Sequence, residues 1–171
     1  MSFAQPATVD DLLNYRLSTL LDSSGSMITR LCEGRYGITR REWRLIALIA
    51  AHGDMSPSEL ARRAHLERAR VSRLITALVD KQLFARSTLV DDRRRARVGL
   101  TGKGRALYSE LFPQSVRLNN MVLAALSAAE LAAFDRALTR LTEVAQKLSN
   151  APLLEAKADR RHGGSHRVNA R

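Results

Sequence analysis

The sequence predicts a mainly α-helical protein with one small β element, and three observations carry that prediction. Apolar residues recur at three- and four-residue spacing near both ends of the chain, as in Leu131, Phe134, Leu138, Leu141 and Leu148. Helix-start signatures stand at Thr39-Arg40-Arg41-Glu42, Ser56-Pro57-Ser58-Glu59 and Ser127-Ala128-Ala129-Glu130. Between residues 83 and 100 the pattern changes to two short β-prone runs around a polar, charged centre.

The elements follow in order. Thr8-Val9-Asp10-Asp11 opens a first helix that runs to about Cys32, and Tyr36-Gly37 breaks it. Thr39 and Glu42 form a capping box, in which hydroxyl and carboxylate satisfy N–H groups that a first helical turn leaves open. Leu45, Ile46, Leu48 and Ile49 give this second helix a buried face, and His52-Gly53-Asp54 ends it. A third helix, Ser56–Ala64, has a Ser cap, Pro at its first helical position and Glu three after the cap. A sharp turn at His65–Glu67 leads into a fourth helix, Arg68–Lys81. Leu60, Leu66, Val71, Leu74 and Leu78 face inward, and Ala61 is small where the two helices cross. His65 occupies a turn position that favours glycine; histidine tolerates positive φ better than most other residues.

Leu83–Thr88 and Arg95–Leu100 read as strands joined by a turn at Val90–Arg94. Thr101-Gly102-Lys103-Gly104 then opens a long helix through Phe112 towards Ala124, with a bend expected at Pro113. A last helix spans about 127–149, and Lys157–Arg171 reads as a weakly structured basic tail. The outer helices carry more apolar stripe than a small core can cover, which points to a symmetric homodimer.

Charge narrows the partner. The chain carries a formal net charge of +11, and residues 35–105 hold 17 of its 28 basic side chains with 7 of its 17 acidic ones. The remaining excess is in the tail, while the flanking helices are mildly acidic. A localised basic block suits a polyanion, because neutralising phosphates releases condensed counterions. Within that block the outward face of the fourth helix offers Arg68, Arg70, Ser72, Arg73 and Thr76. Such a helix fits the major groove, where Arg pairs with guanine and Ser or Thr reaches bases or phosphates. The hairpin tip, Asp91-Asp92-Arg93-Arg94-Arg95, lets an Asp hold one Arg while another enters a minor groove.

Order and spacing together resemble the multiple-antibiotic-resistance-regulator (MarR) family of winged-helix repressors. The resemblance rests on Gly37-Ile38-Thr39-Arg40-Arg41-Glu42-Trp43-Arg44, on Ser56 through Ala64, and on Val71-Ser72-Arg73-Leu74. It is completed by Asp91-Asp92-Arg93-Arg94 followed by Val98, Leu100 and Thr101. It spans about residues 10–150. It implies a mainly α winged helix-turn-helix with a two- to three-stranded β wing and long N- and C-terminal dimerisation helices. The corresponding divisions are a helical dimerisation frame at 8–34 and 102–150, a DNA-binding domain at 35–101 and a tail at 151–171. A bacterial-type regulator of this kind is a cytoplasmic homodimer that represses from a pseudo-palindromic double-stranded operator with half-sites about one DNA turn apart. By carry-over, Ser56 and Ser58 meet phosphates, Arg68 to Thr76 enter the major groove, Arg93 or Arg94 the minor groove, and Arg95 and Arg97 add phosphate contacts.

Family members commonly release DNA when a small aromatic carboxylate or phenol binds between frame and winged helix. Tyr15, Arg16, Ser24, Ser26, Arg40 and Trp43 are the candidates for such a site, Arg for a carboxylate and Tyr or Trp for a ring. The competing readings for Arg16, Arg40 and Trp43 are ion pairs and core packing. Cys32 allows a redox trigger, but its place late in the first helix beside Glu33 favours a passive packed thiol. His52, His65, His162 and His166 show no metal-ligand spacing, and no cofactor is expected. No phosphate loop, nucleophile elbow or metal triad supports an enzyme. No apolar run approaches a membrane span, and no leader is recognisable. A non-specific architectural DNA binder is the remaining alternative, with scrambled DNA binding equally well as its signature.

Overall fold

The computed structural model of the chain describes residues 3–89 and 92–151, with side chains except at 88, 89, 92–95 and 150. It divides into two compact units, Met1–Val122 and Leu123–Arg171.

The first unit opens with one 3-10 turn, Val9–Asp11, capped by Thr8, and then α1, Leu13–Tyr36. The expected single helix from Thr8 is interrupted at Leu12, whose ψ of 135° is extended. The Asp11 carboxylate causes the stop, because its Oδ2 accepts from the N–H of both Ala7 and Thr8 and closes the turn on itself. Gly37 ends α1 in the left-handed region at φ 60°, four residues later than the sequence suggested. Next come α2, Arg40–His52, α3, Pro57–Ala64, and α4, Arg68–Asp80.

The wing is an antiparallel pair, β1, Phe84–Leu89, and β2, Asp92–Leu100. Met55 adds a single-residue bridge to Val98, so the third strand is reduced to one residue. The expected turn at Val90–Arg94 is corrected on its C-terminal side, since Arg93 and Arg94 belong to β2. Thr88 pairs with Ala96 while Leu89 pairs with Asp92, so the register slips there and Arg93–Arg95 stand without partners on β1. Val90 and Asp91 lie outside the described residues.

A single core holds α1 to α5 and the wing together. α5 spans Gly102–Leu123, and Thr101 Oγ1 accepts from Gly104 N as its cap. Leu45, Ile46, Leu60, Val71, Leu78 and Leu111 are fully buried. Each such side chain contributes about 1.5–3 kcal/mol relative to exposure. Ile75 and Phe84 share this core, although neither was among the inward residues expected. Glu42 is buried too: its carboxylate accepts from Thr39 N and from Lys81 Nζ, which also donates to the carbonyl of Gly37. One ammonium therefore ties the end of α4 to the junction between α1 and α2.

The second unit is carried by α6, Ala128–Asn150, with Ser127 and Glu130 forming the capping box the sequence predicted. Leu131, Phe134, Leu138, Leu141, Val144 and Leu148 are all exposed along it. The tail at 152–171 lies outside the described residues.

Candidate nucleic-acid interface

The helix-turn-helix is built by three local devices. Ser56 Oγ accepts from Glu59 N, and Pro57 opens α3. His65 takes the left-handed conformation at φ 53°, where its N–H donates to Arg62 O. Leu66 N then donates to Ala61 O, which closes the turn and sends α4 off at an angle. Val71, Ile75 and Leu78 bury one side of α4.

At 100° per residue Arg73 stands opposite that buried side, and Thr76 is close to it. All five expected residues, Arg68, Arg70, Ser72, Arg73 and Thr76, are exposed, but they do not form one patch. Arg68 lines a shallow groove of about 430 Å³ with Ser56 and Ser58, both exposed at the start of α3. Arg70 lies on the other flank, in a larger cleft against α1 and α2.

Two further arginines change the picture. Arg86 on β1 donates from Nη2 to Thr76 Oγ1 at 2.9 Å, and the same hydroxyl donates to Ser72 O. Thr76 is therefore occupied from both directions. Sequence reasoning missed Arg86; its signal was a lone arginine in a strand that begins four residues beyond α4. Arg97 donates to the backbone carbonyl of Asp54, bracing the wing against the loop before α3. Arg93, Arg94 and Arg95 sit on β2, and their side chains lie outside the described set.

Glu59 does not complete a capping box as the sequence suggested. It instead accepts from Arg62 Nε and Nη2 and from Arg63 Nε, at 2.6–2.9 Å. These guanidiniums, Arg62 foremost, hold its carboxyl at about 2. Two arginines of α3 are thereby withheld from other anions. Glu59→Gln should strengthen binding to any duplex and steepen the salt dependence of log K by about 1–2 units. A titration of affinity against salt checks this, and an unchanged slope counts against it.

The candidate ligand residues do not converge. Arg16 stacks over the Phe3 ring at 4.2 Å, while Tyr15 is exposed. Ser24 donates to Leu20 O and Ser26 to Ser23 O within α1. Trp43 is buried and stacks on Tyr108 at 5.8 Å, which stacks in turn on Phe112 at 5.1 Å. Arg40 alone lines the cleft of about 520 Å³ that Arg70 shares.

Cys32 is fully buried in the core. Burial, then the Glu33 carboxylate, push its thiol up to about 11 against the opposing pull of Arg40. The native protein should resist iodoacetamide at pH 8 and react once unfolded in guanidinium. Native alkylation at the rate of a free thiol would contradict this. Among the described residues no group of three or more His, Cys, Asp or Glu is placed to hold a metal, and no helix is long and apolar enough to cross a membrane.

A tri-helical core with a left-handed turn, an exposed second helix and an arginine-bearing hairpin defines a winged helix-turn-helix protein. Residues 38–96 match the model of the MarR family. The HTH-type transcriptional regulator FarR of Neisseria gonorrhoeae is 34% identical over 74 residues, 43% of this chain and 51% of FarR. The homoprotocatechuate degradative operon repressor of Escherichia coli is 29% identical over 75 residues, 44% of this chain and 51% of the repressor. The chain thus matches about half the length of these curated relatives. The fold is also that of a MarR family transcriptional regulator from Silicibacter pomeroyi DSS, with a TM-score of 0.73 and 22% identity over 85% of this chain and 97% of the other. FarR and the Silicibacter pomeroyi protein are both transcriptional regulators.

Proposed function

We propose that the protein is a sequence-specific, double-stranded DNA-binding regulator of transcription in the cytoplasm, acting as a homodimer and repressing from a pseudo-palindromic site. The observation that carries this reading is the solvent-facing side of α4, where Arg73 projects opposite a packed apolar face and Ser72 is exposed beside it. Arg68 with Ser56 and Ser58 supplies phosphate contacts on one flank. Arg93 to Arg95 supply wing contacts, and Arg97 braces the wing. The frame at 8–34 and 102–150 carries the exposed apolar residues a partner copy would cover. Support comes from a structural neighbour, Streptococcus pneumoniae FabT, solved in complex with DNA, at a TM-score of 0.69 and 21% identity.

The reading includes release by a small aromatic effector. Another neighbour, NadR, was solved with 4-hydroxyphenylacetate at a TM-score of 0.66 and 23% identity. In this chain Tyr108 and Phe112 are the rings best placed to meet such a ligand, because Trp43 is already covered.

Arg73→Ala tests the DNA reading. It should weaken binding to a selected operator by about 1–3 kcal/mol and relax discrimination at one base position. Fluorescence anisotropy on the operator and its single-base variants reads both quantities. Unchanged affinity would remove α4 from the groove.

A further inference from the structure

We infer that the cleft between α1, α2 and the start of α4 binds a compact anion carrying at least two negative charges, at a site separate from the DNA-facing side of α4 and from the rings at Trp43. Four guanidiniums line it, from Arg40, Arg41, Arg44 and Arg70, against the carboxylates of Asp22 and Glu33. Among the described residues Arg40, Arg41 and Arg70 form no ion pair, while Arg44 donates to Ala64 O. Two positive charges are thus in excess, which a dianion balances. Leu66 is the one apolar side chain of the lining and no ring is present, so charge rather than apolar contact dominates the site. Its volume of about 520 Å³ suits a small metabolite.

Gly25 shows that the site is shaped. It is buried in mid-α1, where glycine is destabilising relative to alanine. A Cβ there would overlap the Arg40 guanidinium, so the missing side chain gives that cation its seat against the α1 backbone. The half-buried guanidinium seated there lines the cleft, where it can meet a carboxylate or phosphate. Arg70 belongs to α4, so an anion that engages it acts on the recognition helix directly. That coupling rests on the DNA-binding reading; the site itself does not.

The test is isothermal titration calorimetry of the full DNA-free chain with citrate and, separately, inorganic pyrophosphate, at constant ionic strength. At least one should bind saturably at one per chain, and the better binder tells a carboxylate source from a phosphate source. Gly25→Ala leaves every charge in place and should weaken binding at least tenfold. Arg40→Gln should do the same, and a melting curve confirms that each variant is folded. Arg117→Gln, which removes one charge from the exposed surface of α5, should bind as the parent does. Absence of saturable binding, full affinity in Gly25→Ala, or an equal loss in Arg117→Gln overturns the inference. A parent chain that binds the dianion but no duplex sinks the DNA reading and leaves this site standing.

Discussion

Leu138→Asp combined with Leu141→Asp is expected to abolish the proposed homodimer and to lower affinity for the proposed operator at least a hundredfold. Both leucines lie on the stripe of α6 that runs from Leu131 to Leu148 and is exposed throughout. A soluble protein rarely leaves so continuous an apolar row uncovered, and a second copy of the same row is the self-complementary cover for it. Each buried leucine is worth about 1.5–3 kcal/mol, and an aspartate facing its own symmetry mate adds repulsion and desolvation. Two linked reading heads gain about 10²–10⁴ over one in affinity, which sets the size of the loss. Sedimentation equilibrium and anisotropy on one sample read both effects. A variant that stays dimeric would place the interface elsewhere.

Lys81→Met is expected to destabilise the fold by about 2–4 kcal/mol. Glu42 is almost wholly buried, and its carboxylate is served by the Thr39 N–H and the Lys81 ammonium at 2.8–2.9 Å. Removing the cation leaves a buried anion without its counter-charge, which costs far more than an exposed pair is worth. The Lys81 side chain is 38% exposed, which is why the figure stands below that for a fully buried pair. Glu42→Gln in the same background should recover part of the loss, because the buried charge is then gone. Urea denaturation of the two variants measures this. A loss below about half a kcal/mol in Lys81→Met would show water serving Glu42 equally well.

Local chemistry explains what could be read in advance. The limits of α3 and α4 were legible because Ser56, Pro57 and His65 act within a few residues of themselves. His65 adopts the positive φ its position required. The Thr39–Glu42 and Ser127–Glu130 boxes formed for the same reason. Glu59 departed from the pattern because two arginines, three and four residues on, compete for its carboxylate more strongly than the backbone does. The break at Leu12 depended on which N–H groups Asp11 would reach, a choice that spacing alone leaves open.

The site was less legible than the fold. Helical phase places Arg73 outward and sets Arg68 and Arg70, about 200° apart, on opposite flanks of α4, but only tertiary packing could put Arg86 on Thr76. Trp43 has the same composition signal as a ring waiting for a ligand; its burial against Tyr108 is a property of how α5 crosses α2. Arg40 was singled out for its charge, yet its neighbours proved to be other arginines and a glycine rather than an aromatic.

Selection of bound duplexes from a pool with a randomised core tests the central claim most directly. If α4 of each protomer reads a half-site, successive rounds at physiological salt should enrich an inverted repeat with half-site centres about 34–36 Å apart. The enriched duplex should bind at least about 10³-fold tighter than its scrambled counterpart. A pool that is retained but never enriched, with scrambled DNA bound equally well, would contradict sequence-specific recognition and leave a protein that follows phosphate alone.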